Sequence, residues 1–254
     1  MRALLCILLF LSSASAAPLP AVKVFPDGPT IPASLLRISL KFAERPAGEV
    51  LPRLKLTHDN GEPIALPFLE QELWSADGRL LTVLLHPGRV KNGLVARAEQ
   101  GPVIDRGASV ALRLDGQIVK RWMVVAADTT GPVPAKWRIA PGKSGTHAPM
   151  IVQLDGEIDR GGLNLLAVID ARRQRVAGTA SLSAGGSQWL FTPKGQWHAG
   201  RYYLAVHPQL EDPSGNRLNS SFELPSTAGR PEEDGQVIAF QVTGMRGNGL
   251  GHVR

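Results

Sequence analysis

The chain has 254 residues, of which 43% are hydrophobic and 20% are charged, and its formal net charge is +6. This composition supports a buried core and excludes a disordered polar chain. Its 27 glycines and 20 prolines exclude a helical bundle and favour an all-β protein with many turns. Beyond the N-terminus, no apolar run approaches the roughly 20 residues that span a bilayer.

The first residues have the pattern of a secretory signal peptide, predicted at 1–16. Arg2 supplies the positive charge, an apolar run follows over 3–11, and Ala14 and Ala16 occupy the small-residue positions before a cleavage site. A signal anchor is the alternative, although the apolar run is short for one. We therefore expect export to the periplasm or the extracellular medium.

The single cysteine, Cys6, lies within the segment that we expect to be removed. The exported chain then has no disulfide, thiolate metal site or cysteine nucleophile. It keeps 27 basic and 22 acidic residues, a net charge of +5. Because it is expected outside the cytoplasm, we predict no nucleic-acid partner. The excess charge indicates an anionic envelope polymer or no partner at all, and the cluster at 172–175 is interpreted as a solvated turn.

A proline-rich leader is predicted at 17–33, and a first unit at 34–128. The strands of this unit are indicated by period-2 alternation or by short apolar runs. Turn signals such as Asp59-Asn60-Gly61 separate them. The predicted strands are 36–42, 54–57, 80–85, 110–114 and 118–125.

The second half of the chain repeats this order after a linker at 129–136. In a second unit at 137–224, strands predicted at 151–155, 167–170, 189–193 and 202–206 correspond to the first four of the first unit. The spacing differs where the first unit has extra residues between Arg89 and Arg106, as in a duplicated domain. A C-terminal tail is predicted at 225–254 and is expected to be mobile. Within it, 236–242 is a further strand that either closes the second unit or pairs elsewhere.

About seven short strands per roughly 100 residues, with glycine and proline turns between them, are typical of an Ig-like sandwich. The predicted fold is therefore all-β, with two tandem Ig-like β-sandwich domains after a cleaved signal peptide. Pro132 and Pro134 stiffen the linker and predict a restricted arrangement of the two domains.

Three motifs of the second unit occur in a fixed order: Trp189-Leu190-Phe191-Thr192-Pro193, Gly200-Arg201-Tyr202-Tyr203-Leu204, and Asp212-Pro213-Ser214-Gly215-Asn216. They resemble the bacterial Ig-like domain of the S-layer-protein (SbsA) type, which has an "ltFsP" strand, a "G-x-x-Y" strand and a "D-x-x-G-N" loop. The first unit is similar but lacks the tyrosine, and Asp115-Gly116 replaces the loop. The resemblance covers about 34–224 and implies a spacer, an adhesion module or an accessory unit.

The large aromatic residues of the second unit are predicted to anchor its core. Trp189, Phe191 and Trp197 offer a large apolar area to a sandwich that has no disulfide. The alternative is a sugar-stacking platform at one end of the sandwich.

Motifs for enzymatic chemistry are missing from the sequence. It has no G-x-S-x-G elbow, and Gly142-Lys143-Ser144 lacks the first glycine of a phosphate loop, where Trp137 stands. The histidines show no metal-site spacing, and His198 and His207 converge only if the turn at Trp197 folds over the next strand. The six histidines are His58, His86, His147, His198, His207 and His252.

Calcium is the remaining metal hypothesis. An oxygen cage is conceivable from the acidic turn at 155–159 together with Asp212 and Asn216, although the turn does not have the spacing of an EF-hand loop. A structural turn is the favoured interpretation.

We assign no catalytic, cofactor-binding or metal-binding residue and no cofactor. The predicted function is a non-enzymatic exported binding or structural module of the cell envelope, monomeric or weakly self-associating. It acts by surface complementarity or edge-strand pairing, with a protein or an anionic envelope polymer as partner. The alternative is a periplasmic or extracellular metal-binding or accessory protein that takes Cu, Zn or Ca on scattered histidines and acidic turns. An enzyme with an unrecognised site is a third hypothesis.

Overall fold

The computed structural model describes residues 21–183, 185–218, 222 and 235–244. The predicted signal peptide and most of the predicted C-terminal tail lie outside these residues. In the described part the helices are α1 (Pro87–Val90) and α2 (Val95–Gln100), with 3-10 turns at 51–53, 134–136 and 160–165. The strands are β1 (Val22–Phe25), β2 (Thr30–Pro32), β3 (Arg37–Phe42), β4 (Leu54–His58), β5 (Leu73–Trp74), β6 (Leu80–Leu84), β7 (Ser109–Leu114), β8 (Gln117–Val125), β9 (Arg138–Ala140), β10 (Met150–Gln153), β11 (Leu166–Asp170), β12 (Gly178–Leu182), β13 (Gln188–Pro193), β14 (Gly200–Val206) and β15 (Gln236–Val242).

The first domain is a sandwich of two four-stranded sheets, with strand orders β1-β3-β6-β5 and β2-β8-β7-β4. Neighbouring strands are antiparallel except for β2 and β8, which are parallel. Side chains that alternate along these strands point between the sheets, and Leu40, Leu81 and Leu112 are fully buried there. The first core is therefore built from the alternating positions that indicated the strands.

The second domain has the same arrangement, with strand orders β12-β13-β10-β9 and β11-β14-β15. In both domains the strands divide between two sheets as in the Ig fold, with the strands that correspond to C, F and G together in one sheet. In the first domain β2 is added to that sheet beside β8. The correspondence of β3, β4, β6 and β7 with β10, β11, β13 and β14 is confirmed. The strand predicted at 236–242 is also confirmed, because β15 pairs with β14 and is the end strand of the second sheet of that domain.

The leader predicted at 17–33 is wrong over its described residues, because they contain two strands of the first sandwich. β1 pairs with β3, β2 pairs with β8, and Ile31 is buried in the core. Pro32 ends an edge strand, where a missing N–H removes no sheet hydrogen bond. The proline content of this segment therefore reflects edge positions and turns instead of a separate leader.

The aromatic residues of the second domain are core residues, as predicted, so the sugar-platform alternative is wrong. Trp189 and Phe191 stack with ring centroids 5.7 Å apart, and Phe191 meets Trp197 at 6.1 Å. A Cβ atom on Gly142 would lie 2.0 Å from the Trp197 Nε1 atom. Gly142 is thus needed for close packing, and the indole N–H donates to the Ala148 carbonyl at 2.8 Å.

The extra residues of the first unit begin at the end of α1 and contain α2. The Arg89 side chain, on α1, is buried and donates to the carbonyls of Leu66, Gly101 and Pro102 at 3.3, 3.1 and 2.9 Å, as well as to that of Ala65. Burial lowers the pKa of Arg89 from its ordinary value. The guanidinium group connects the inserted segment to the loop before β5.

Candidate functional site

The D-x-x-G-N loop, 212–216, is closed by its own hydrogen bonds. The Asp212 carboxylate accepts the Asn216 main-chain N–H at 2.9 Å through Oδ1 and the Asn216 side-chain amide at 2.8 Å through Oδ2. The main chains of these two residues also pair at 3.0 Å. Both carboxylate oxygens are therefore used in shaping the loop, which does not support the proposed calcium cage.

The same loop docks on the first domain. The Pro213 carbonyl accepts the main-chain N–H groups of Leu36 and Arg37 at 3.0 and 2.9 Å. The Asn216 side-chain amide donates to the carbonyl of Asp128, at the end of the first domain, at 3.2 Å. The D-x-x-G-N loop is thus a clamp between the two domains, and we call it the junction loop.

A buried hydroxyl pair reinforces this junction. Ser34 Oγ accepts the Asp128 main-chain N–H at 2.8 Å and lies 3.2 Å from Ser214 Oγ. Gly215 adopts a φ of +83°, and a Cβ atom there would lie 2.8 Å from a Leu36 methyl carbon. Only glycine combines that conformation with this close approach.

Charged side chains surround the junction loop. Arg37 forms an ion pair with Glu211, which also accepts from Arg217 Nε at 2.9 Å. The Arg160 guanidinium carbon lies 3.3 Å from the centre of the Phe25 ring, across the two domains. These contacts, together with the linker, hold the two domains in position.

Carboxylates at the junction are partly desolvated. Burial raises the pKa of Asp212 to about 6, against the lowering effect of its hydrogen bonds from Asn216. Burial is the main cause that raises the pKa of Glu157 to about 7; Arg160 opposes the rise, and Asp27 and Asp159 contribute to it. The junction therefore contains groups that change charge between pH 5 and pH 8.

Two clefts flank the junction. A cleft of about 380 Å³ is lined by four acidic residues and Lys136. A second cleft of about 560 Å³ lies between β5, β6 and the 3-10 turn at 160–165 and has a mixed charged lining. The acidic residues of the first cleft are Asp128, Asp155, Glu157 and Asp212. Asp155 accepts the Trp137 indole N–H at 2.7 Å, so its carboxylate also has a structural partner.

The histidines do not form a metal site in the part of the chain that the structure describes. His198 precedes β14 and His207 follows it, so the two lie at opposite ends of the strand, roughly 20 Å or more apart. Among the described residues, no cluster of three or more His, Cys, Asp or Glu side chains could hold a metal ion. His252 lies outside the described residues.

The second domain has an open sheet edge at β15. In the first domain β8 lies between β7 and β2, whereas the corresponding β15 is the last strand of its sheet. Among the described residues, β15 pairs with β14 alone. Because N–H and C=O groups of alternate residues point to opposite sides of a strand, about half of those on β15 face this open edge.

β15 also lacks the features that protect the other edges. Its seven residues, Gln236–Val242, include neither a charged side chain nor a proline. β5 and β9 have only two and three residues, β1 contains Lys23, and β2 contains Pro32. The edges of β4, β11 and β12 are partly covered by the segments 62–64, 174–176 and 160–165. Natural edge strands are usually blocked in such ways, so β15 is the described edge best suited to accept another strand.

The outer face of the sheet beside this edge is largely apolar. The register places Ile169, Tyr203 and Ala239 in one row across β11, β14 and β15, and Ala167, Ala205 and Val237 in the next. Val237 is 47% exposed. The face and the open edge form one continuous surface, which we call the β15 surface.

Arginines border one end of the β15 surface. Arg201 lies opposite Gln241 in the register, and the Arg173 guanidinium lies 4.4 Å from the centre of the Tyr203 ring. Arg172 and Arg175 belong to the same turn as Arg173. The solvated-turn interpretation did not include Arg201 or Tyr203, because sequence separation concealed that β11 and β14 are neighbours.

A scan against models of protein families finds no match to this chain, and a search of curated protein sequences finds no relative. The chain is similar to solved tandem Ig structures. Domains 5–6 of the S-layer protein SbsC match with 12% identity and a TM-score of 0.26, over 89% of this chain and 99% of that one. A chimeric titin Z1Z2 carrying a decorin peptide matches with 9% identity and a TM-score of 0.30, over 88% and 96%. Titin domains A164–A165 match with 10% identity and a TM-score of 0.26, over 88% and 96%.

These similarities concern the fold and carry no argument about function. The Ig-like assignment follows from the strand orders of the two sandwiches. In the described part of the chain, no helix has the length and apolar character needed to cross a membrane.

Proposed function

We propose that the chain is an exported, non-enzymatic module of the cell envelope that binds a protein partner at the open edge of β15. The signal-peptide pattern at 1–16 supports export, and the motifs of the second unit support an Ig-like domain of the SbsA type. The junction loop holds the two domains in a defined arrangement, so a partner bound at one end of the chain is displayed at a fixed orientation to the other.

The observation that carries this proposal is the uncharged edge of β15, which no other strand of the described residues covers. A strand added there gains main-chain hydrogen bonds from the outward-facing groups of β15, and its side chains alternate between the two faces of the extended sheet. The first domain shows what such an addition looks like, because β2 occupies the corresponding place beside β8. The expected partner is an extended polypeptide segment, because only a polypeptide main chain matches these donors and acceptors.

Site-specific photo-crosslinking tests the proposal in the native envelope. A photoreactive residue replaces Val237 on the β15 edge or, as the matched control, the exposed Thr179 on β12, an end strand of the opposite sheet whose edge is partly covered. We expect one protein to be crosslinked at 237 and not at 179, through an extended segment of that protein. In the reconstituted complex, main-chain amides in 236–242 should exchange with solvent more slowly than in the free chain.

Two results would contradict the proposal. One is equal capture of the same proteins from both positions, which indicates contact without a specific edge. The other is a reconstituted complex in which amide exchange over 236–242 is unchanged.

A further inference from the structure

The arginines at the end of the β15 surface indicate what kind of strand pairs with β15. Resting on the proposed function, we infer that the partner segment is acidic and directs carboxylates across the outer face towards Arg173 and Arg201. The inference depends on charge, reach and the fixed position of one arginine.

Positive charge is uncompensated at this end of the sheet. Arg172, Arg173, Arg175 and Arg201 form no salt bridge with any residue that the structure describes. The carboxylate of the adjacent Asp170 accepts the main-chain N–H groups of Arg172 and Gln174 at 2.8 and 2.9 Å. Its role is to shape the turn, so the four exposed arginines have no carboxylate partner among the described residues.

An added strand lies within reach of these groups. Adjacent strands are about 4.8 Å apart, so the outer-face side chains of a strand beside β15 start about 10 Å from those of β14. Ala239 lies between them at the level of Tyr203, and its short side chain does not obstruct the approach. An arginine and a glutamate extended towards each other span this separation.

Arg173 is held ready for such a contact. Its main chain has a φ of +63°, and its guanidinium group stacks on Tyr203. The turn is fixed by the hydrogen bonds to Asp170, so little conformational freedom is lost when a ligand binds. Guanidinium groups recognise carboxylates through paired hydrogen bonds, and tyrosine and arginine are enriched among residues that dominate binding.

Synthetic strands provide the probe, with the chain used from residue 17 to its end. A fluorescent nine-residue peptide that alternates valine and glutamate is compared with peptides in which serine or lysine replaces glutamate. We expect the glutamate peptide to bind about tenfold more tightly than the serine peptide, with the difference reduced at high salt. The variants Arg173→Glu and Arg201→Glu should each remove most of this difference, and Arg138→Glu, exposed on β9, serves as the control.

The outcomes separate this inference from the proposed function. Equal binding of glutamate and serine peptides, unaffected by the charge reversals, overturns the acidic partner and leaves edge pairing in place. A glutamate peptide with methylated main-chain nitrogens that binds as well as the unmodified one also overturns the inference, because the face then attracts any anionic polymer. If none of the peptides binds, the inference of an acidic partner is overturned as well. The proposed function is then judged by crosslinking at 237.

Discussion

The substitution Asn216→Ala tests whether the junction loop is a structural clamp. Asn216 is 1% exposed, and its side chain donates to Asp212 at 2.8 Å and to the Asp128 carbonyl at 3.2 Å. It also accepts the Phe222 main-chain N–H at 2.8 Å. The substitution leaves a buried carboxylate oxygen and a main-chain N–H without their partners. At roughly 1–3 kcal/mol for each of these two unpaired groups, we expect the free energy of unfolding to fall by about 2–6 kcal/mol.

The loss should also depend on pH. The hydrogen bonds from Asn216 lower the pKa of Asp212, which burial raises to about 6. The variant keeps the main-chain N–H donor of residue 216 but loses the side-chain donor. Without the side-chain bond the pKa of Asp212 rises further, so the ionised carboxylate is less stable in the folded variant at pH 8 than in the folded wild type. At pH 5 the carboxyl group is largely protonated in both folded proteins, and the ionic part of the loss disappears. The loss should therefore be larger at pH 8 than at pH 5.

Urea unfolding followed by tryptophan fluorescence at both pH values measures these changes. Asn60→Ala is the matched control, because Asn60 is exposed and its side chain accepts one main-chain N–H, that of Glu62, at 3.0 Å. It should cost less than about 1 kcal/mol. A loss for Asn216→Ala no greater than that of the control, or the same at pH 5 and pH 8, would refute the clamp.

Three further substitutions test the side-chain packing and the buried charged groups described above. Burial raises the pKa of Glu157 to about 7 from an ordinary 4.5, so the folded state binds the proton more tightly than the unfolded chain. The free energy of unfolding should therefore fall as pH rises from 4.5 to 7. Glu157→Gln should flatten this decline when unfolding is measured at a series of pH values. The same decline in the variant and the wild type would contradict the prediction. Gly142→Ala should lower the free energy of unfolding by about 3 kcal/mol, because the added methyl group overlaps Trp197. Gly156→Ala is the control and should leave the thermal midpoint nearly unchanged, because Gly156 has open space around it. Similar thermal midpoints for the two variants would refute the packing argument. Arg89→Met should lower the free energy of unfolding by about 3 kcal/mol, because it leaves buried carbonyls without donors. It should also make the segment 91–101 more sensitive to limited proteolysis. Resistance equal to that of the wild type would argue against the role of Arg89 in holding this segment.

The chain combines a fixed junction with an open edge, and these have different consequences for binding. The junction loop uses its polar groups in hydrogen bonds within the protein. The open edge belongs to β15, the last strand of the second domain, which follows the junction loop in the chain. A partner is therefore expected to recognise main-chain geometry and arginines rather than the motif residues.

Most of the longer strands, the correspondence of the two units and the aromatic core could be predicted from the amino-acid sequence. The reason is that side-chain alternation and turn residues are local properties, which can be read within a few residues of one another. Trp189 and Phe191 were assigned to the core correctly because both lie on the same face of one alternating strand. Segment 17–33 was assigned wrongly because its prolines hid two short edge strands whose pairing partners lie elsewhere in the chain.

Only the tertiary structure decided which residues of distant segments come together. Arg173 meets Tyr203 because β11 and β14 pair, and Pro213 meets Leu36 because two domains dock. The openness of β15 is likewise a property of the sheet, since its own sequence is equally compatible with a central strand. Whether an edge is covered depends on long-range hydrogen bonds, and no local pattern in the sequence encodes them.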